Sequence, residues 1–316
     1  MRNWIIVGLI LLVVGLIGVG VTFKGTNFTF NTVDIEKQQK ETEGEGVEFV
    51  RIENESADVT IVPSSSGKIK AELSGNVSQK FVDNIKLSLD RDGDEVTIKA
   101  EAGSGFSFGI SIMNLDLKIE LPERAFRELA LNSGSGNIEM RDMLAGTMVI
   151  EAKSGDLNLK ELTGDEMSIS TSSGNITLGK LTGKQIKLKA SSGDIELDKS
   201  KADELSVDVA SGNIELMDAD AKLKADTSSG NITVSLAAIA HPMTLSTGSG
   251  NVTIETDRQP DSAQIRYNSG SGDLKNSWRD NPSSRDGDDN ETIVFGDGKT
   301  IVEVETGSGN LSLDRR

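Results

Sequence analysis

From residue 132 to the end, apolar and polar positions alternate in short runs that recur on a fixed period. Asn175-Ile176-Thr177-Leu178 sets Ile176 and Leu178 to one side and Thr177 to the other. Leu181-Thr182-Gly183 reads as a turn, Ile186-Lys187-Leu188-Lys189-Ala190 alternates again, and Ser191-Ser192-Gly193 closes the unit. A period of two sends successive side chains to opposite faces of a strand. Each unit of about nineteen residues therefore predicts two short strands and two turns. The apolar positions line up as columns. One is Ile138, Leu157, Ile176, Ile195, Ile214, Ile232, Val252, Leu274 and Leu311. Its companion two residues on starts at Met140 and ends at Leu313, and is broken at Asn276. The other strand contributes Ile150, Ile169, Leu188, Val207, Ala225, Leu245, Tyr267 and Val304.

The units are marked by Ser-Gly-Asn or Ser-Gly-Asp. The pairs are Gly136 and Asn137, Gly155 and Asp156, Gly174 and Asn175, Gly193 and Asp194, Gly212 and Asn213, Gly230 and Asn231, Gly250 and Asn251, Gly272 and Asp273, and Gly309 and Asn310. The glycine spacings are 19, 19, 19, 19, 18, 20, 22 and 37. A repeat of this size predicts stacked coils, because one narrow apolar strip cannot bury itself and must be covered by identical strips above and below. Glycine supplies a positive φ without steric cost, and Asn or Asp bonds nearby backbone. The stacked turns are expected to form one structural Asn/Asp ladder. The fold class expected is all-β: a single-stranded β-solenoid, or β-helix, with two short strands per coil. The last gap holds one coil plus a loop insertion over 277–292, and the final rung is expected to stand open, with Asp314-Arg315-Arg316 as charged gatekeepers.

Residues 47–131 are β-rich without an obvious repeat. Ile85 to Leu89 and Val96 to Ala100 flank Asp90-Arg91-Asp92-Gly93-Asp94, a hairpin signal. Short helices are weighed at 77–82 and 33–40, and Gly103-Ser104-Gly105 is a loop. Whether 47–131 continues the solenoid stays open. Residues 24–46 offer little to bury and read as a stalk. Before them, Met1-Arg2-Asn3 precedes an uninterrupted apolar run from Trp4 to Phe23. Twenty residues at a rise of ~1.5 Å span about 30 Å, the thickness of the hydrocarbon layer. The apolar run is longer than the usual core of a cleaved signal peptide and its exit, Gly18-Val19-Gly20-Val21, has no Ala-x-Ala, so an uncleaved transmembrane signal anchor over 4–23 is expected, with 1–3 cytoplasmic and the solenoid outside the cell.

Composition narrows the chemistry. The formal net charge is −17, which argues against nucleic acid as a partner. There is no cysteine, so disulfides, thiolate metal sites and Cys nucleophiles are excluded. Aromatics are 4% of the chain and Gly numbers 33, which suits thin aliphatic layers better than a core wrapped round a cofactor. No cofactor is expected.

Repeated Ser-Gly-Asn/Asp-Ile-x-Leu coils behind a β-rich first part and an N-terminal anchor resemble the bacterial putative-adhesin family of β-helical domains of unknown function. Within it they look like the LiaG-like membrane-anchored proteins of Gram-positive envelope-stress operons. The resemblance covers residues 47–316 and implies a surface or envelope role, in adhesion or in stress signalling.

Asp286-x-Asp288-x-Asn290 echoes the start of a calcium loop, but Glu291 stands where that loop needs Gly, so a solvated loop is favoured. Trp278 at its edge is read as packing on the solenoid. His241 is the one histidine, without a second ligand or a triad partner. The outward carboxylates Glu151, Asp208, Asp226, Glu303 and Glu305 read as scattered along the stack. The expectation is a non-enzymatic, membrane-anchored binding module, monomeric rather than dimeric, facing a cell-wall glycan or an envelope protein. An accessory role in an envelope-stress response is the alternative, and a polysaccharide-active enzyme on a β-helix the third.

Overall fold

The computed structural model of the protein describes residues 32–103, 112–278, 284–285 and 290–316. Near the N-terminus, β1 (Thr32–Asp34) and β2 (Gln38–Glu43) both run antiparallel to β5 (Lys68–Ser78). Between β2 and β5 the chain makes a first coil from β3 (Phe49–Asn54) and β4 (Asp58–Ser64). A six-residue 3-10 helix (Gln79–Asn84) then leads into the antiparallel hairpin of β6 (Lys86–Asp92) and β7 (Glu95–Glu101). With β8 (Met113–Pro122), β7 makes a second coil.

The regular coils follow. They are β9 (Ala125–Ser133) with β10 (Ile138–Arg141), β11 (Leu144–Ser154) with β12 (Leu157–Lys160), and β13 (Glu166–Ser173) with β14 (Ile176–Thr182). Next come β15 (Gln185–Ser192) and two long strands, β16 (Ile195–Ser211) and β17 (Ile214–Ser229), each passing from one side of the coil to the other. The chain ends with β18 (Ile232–Leu236), β19 (Met243–Ser249), β20 (Val252–Thr256), β21 (Ala263–Ser271), β22 (Leu274–Asn276), β23 (Ser284–Arg285), β24 (Asn290–Phe295), β25 (Thr300–Ser308) and β26 (Leu311–Arg315).

Strands of successive coils pair in parallel and in register, Ile169 beside Leu188 and Ile176 beside Ile195. The alternation of the sequence thus becomes two parallel ladders with apolar columns inside. Ile150, Ile169, Leu188, Val207, Ala225, Leu245, Tyr267 and Val304 are all buried, as are Ile138 through Leu311 with the exception of half-buried Leu274.

The spatial order departs from chain order at both ends. One side of the stack, which we call the long side, runs β7, β3, β9, β11, β13, β15, β16, β17, β19, β25, β21. The short side runs β8, β4, β10, β12, β14, β16, β17, β18, β20, β26, β22. Eleven rungs at ~4.8 Å make a stack about 48 Å long among the described residues. Residues 47–131 therefore supply two of its rungs and most of β9, the long-side strand of a third, with the β3/β4 rung lying inside the later β7/β8 rung.

Three expectations change. The segment read as a stalk, and the helix weighed at 33–40, carry β1 and β2 from residue 32, because β5 offers them an edge to pair with. The C-terminal rung is not open, since β26 lies between β20 and β22. The insertion is not loop throughout: β24 runs antiparallel along the outer edge of β21.

These antiparallel strands close the stack. A parallel edge presents unpaired amides and carbonyls to any passing strand. Here β6 covers β7, β5 covers β8, and β24 covers β21, leaving three-residue β22 as the short-side end. Trp278 seals that corner. It is buried, meets Phe295 edge to face at 5.7 Å between ring centres, and donates from Nε1 to the Asp314 carbonyl at 2.7 Å.

The segment Trp4–Phe23 lies outside the described residues. Among the described residues no helix is long and apolar enough to cross a membrane.

Candidate binding surface

The repeated turn is the first candidate, and its geometry accounts for both of its residues. The Oδ1 of each Asn or Asp accepts the backbone N–H of the equivalent residue one rung along. The bonds run from Asn137 N to Asp58 at 2.7 Å, Asp156 N to Asn137 at 3.0 Å and Asn175 N to Asp156 at 2.8 Å. They continue through Asp194, Asn213, Asn231, Asn251, Asn310 and Asp273. Only an acceptor is required, so Asn and Asp interchange. In spatial order the acids Asp58, Asp156, Asp194 and Asp273 are never adjacent, which keeps like charges in this ladder at least two rungs apart. The glycines stack as closely: a Cβ on Gly174 would fall within the carbonyl oxygen of Gly155. These side chains are committed to the backbone ladder.

Asp58 begins the ladder although no Ser-Gly precedes it. Its turn is held from inside by Asn54, whose Oδ1 accepts the Ala57 N–H at 3.0 Å and whose Nδ2 donates to the Ser133 hydroxyl at 2.8 Å.

A second column escaped sequence reading. Asp142, Glu161, Lys180, Lys199 and Asp218 all have left-handed backbone, with φ between 48° and 63°. Each lies six residues after the turn glycine of its coil, so a charged residue at constant offset was the available signal. Their side chains meet along the bend. Lys180 donates to Glu161 at 2.5 Å and Arg316 to Asp218 at 2.7 Å. The Lys180 ammonium holds the Glu161 carboxyl below its ordinary value, while a hydrogen bond with Glu161 pushes Asp142 up.

The outward rows of the long side form a third candidate surface. In one row stand Glu53, Asn132, Glu151, Ser170, Lys189, Asp208, Asp226, Ser246, Glu305 and Asn268, each directly beside the next. Parallel register therefore collects Glu151, Asp208, Asp226 and Glu305, read as scattered, into a single line, with Glu303 in the adjacent row. Lysines offset part of this charge: Lys224 lies 3.1 Å from Asp226 and Lys189 3.8 Å from Asp208.

Toward the N-terminal end this surface deepens into a concavity of about 440 Å³. Its floor includes Ala130 and Val149, and its walls carry Arg51, Glu53, Lys99, Glu101, Asn132 and Glu151. Lys99 neutralises Glu53 at 2.8 Å and Arg51 turns to Glu95 at 2.9 Å. Glu101, Asn132 and Glu151 make no side-chain hydrogen bond or ion pair with the described residues, so their acceptors and amide are free for a ligand.

The other candidates fall in different places. His241 Nε2 sits 2.7 Å from Asp220 Oδ1 at an exposed bend near the other end of the stack. Asp286 and Asp288 lie outside the described residues, and Asn290 is described only as the first backbone position of β24. Among the described residues no three of Asp, Glu or His converge on a point that could hold a metal ion.

Comparison with known proteins follows the same boundaries. The profile of the Toastrack DUF4097 family matches residues 47–314. Among solved structures, a putative adhesin from Parabacteroides distasonis shares 14% identity, with a TM-score of 0.49 over 89% of this chain and 98% of its own. A putative adhesin from Bacteroides fragilis shares 13% identity at a TM-score of 0.46, over 88% of this chain and 97% of its own. A putative lipid binding protein from Parabacteroides distasonis shares 14% identity at 0.46, over 89% and 97%. No curated protein matches the chain.

Proposed function

Because the chain belongs to the Toastrack DUF4097 family, we propose that it is a non-enzymatic, adhesin-like binding module of the cell envelope. In this reading Trp4–Phe23 anchors it in the membrane and the solenoid stands outside. The long side then docks an extended partner, a cell-wall glycan or an envelope protein.

The observation that carries the reading is the outward row from Glu53 to Asn268. It offers one polar side chain per rung along the length of the stack and leads into the concavity with free Glu101, Asn132 and Glu151. Evenly spaced donors and acceptors on a rigid sheet are pre-organised for a repeating ligand, which lowers the ordering cost of binding. The non-enzymatic part rests on the turn chemistry, since the repeated Asn and Asp spend their acceptors on backbone amides.

A soluble form starting at residue 32, presented to purified cell wall and to a glycan array, tests this. Retention is expected, weakened when Glu101 and Glu151 are both changed to Gln. Failure to bind either material, or cleavage of wall fragments by the same protein, would overturn it.

A further inference from the structure

The two ends of the stack differ in how their order is reached. At the N-terminal end the inner rung, β3 with β4, precedes in sequence the outer rung, β7 with β8. The inner rung is already in place when the outer one arrives. At the C-terminal end the inner rung, β25 with β26, is made last, after the outer rung of β21 with β22. It must enter a slot between β19/β20 and β21/β22.

The slot holds its occupant through strand ladders on both sides and through the repeated turn, whose chemistry is the same at every rung. Asn310 N donates to Asn251 at 2.9 Å, and Asn310 Oδ1 accepts from Asp273 N at 2.8 Å. Gly309 lies against the Gly250 carbonyl with no room for a Cβ, and Gly272 lies against Gly309 in the same way. Nothing in these contacts distinguishes the chain's own last rung from that of another copy. The connection that keeps the rung at home is short. From Phe295 to Thr300 the chain steps across β21, since both residues flank Ala263 from opposite sides. Gly296 and Gly298 bend it with φ of 58° and 66°. Short, sharply bent hinges favour exchange between copies, because opening them relieves the constraint while every native contact is re-formed.

We infer that this slot is a strand-pair acceptor, and that a second copy of the chain fills it with its own residues 300–316, giving a reciprocal, domain-swapped dimer at high concentration. The inference goes beyond the binding reading and does not depend on it.

The absence of cysteine makes the test clean. Thr244 and Glu303 are neighbours on the exposed long side, within reach of a disulfide if both are changed to Cys. Full-length Thr244→Cys and Glu303→Cys chains are unfolded, mixed, refolded together and oxidised. The expected product is a disulfide-linked heterodimer that grows with protein concentration. It should fall several-fold when three residues are inserted after Gly298. A mixture of Ser168→Cys and Lys187→Cys chains, adjacent in the interior of the stack, should give far less. Equal cross-linking in the interior pair, or no dependence on concentration, would overturn the inference. If the cysteine variants refold poorly, the mass of the unsubstituted chain refolded at high concentration decides, a strictly monomeric result counting against it.

Discussion

At the residue scale, the turn glycines and the ladder residues carry different burdens. Gly174 has φ +142° and faces the Gly155 carbonyl, so Gly174→Ala forces backbone apart and should cost several kcal/mol, on the order of 3. Gly179, whose nearest neighbour would be the flexible Lys160 side chain at 3.6 Å, should accept Ala with little change. Urea unfolding of the two variants side by side checks the contrast. Thr171 offers the opposite sign. Its hydroxyl is buried without a partner, and the equivalent positions in the flanking rungs are Ala152 and Ala190. Thr171→Val removes the unpaired group and should stabilise by about 1 kcal/mol in the same measurement. The bend column predicts pH behaviour. Glu161 is held below its ordinary value by Lys180, so its contribution is present above the unfolded value and is lost as pH falls through the folded one. Asp142 is raised by its hydrogen bond with Glu161, so its contribution has the other sign and grows as pH falls. Carboxyl NMR titration should find Asp142 titrating above an ordinary aspartate, and moving back down in Glu161→Gln.

At the scale of elements, the C-terminal closure depends on a few aromatic contacts. Trp278 fills the corner between β22, β24 and β26 through Phe295 and the Asp314 carbonyl. Trp278→Ala should cost about 3–5 kcal/mol. The loss should be local, because each rung contacts only its neighbours. Hydrogen exchange should show lost protection in 263–276 and 311–315, with 147–192 unchanged. Uniform loss along the stack would mean that the solenoid unfolds as one unit. The same locality explains why sequence reading worked on the middle coils and failed near the ends. In β13 to β16 every strand has the same neighbours, so alternation is the whole instruction. For β1 and β2 the polar runs Thr32–Asp34 and Gln38–Glu43 carry no apolar stripe. What makes them strands is the free edge of β5, which local sequence does not announce.

At the scale of the whole molecule, a quasi-one-dimensional stack should tolerate removal of one complete coil. Deleting Ile176–Asp194 joins Asn175 to Ile195, keeps the register, and leaves the ladder order Asp156, Asn175, Asn213 without adjacent acids. The shortened protein is expected to fold with unchanged circular dichroism per residue. Its stack should be one rung, about 4.8 Å, shorter by small-angle scattering. The sequence by itself determined the coil: which side chains face in, where the chain turns, and why Gly and Asn or Asp stand there, because each follows from strand parity and from the backbone of a single turn. It also held the first rung's ladder residue, Asp58, in a form hard to read, since Asn54 replaces the Ser-Gly device there. Only the tertiary structure decided which coil neighbours which at the two ends, and that Glu151, Asp208, Asp226 and Glu305 fall into one line. The physical reason is that every rung presents the same ladder and the same columns to the next. Coil chemistry is indifferent to order, and order is settled by the antiparallel strands and connections that close the stack.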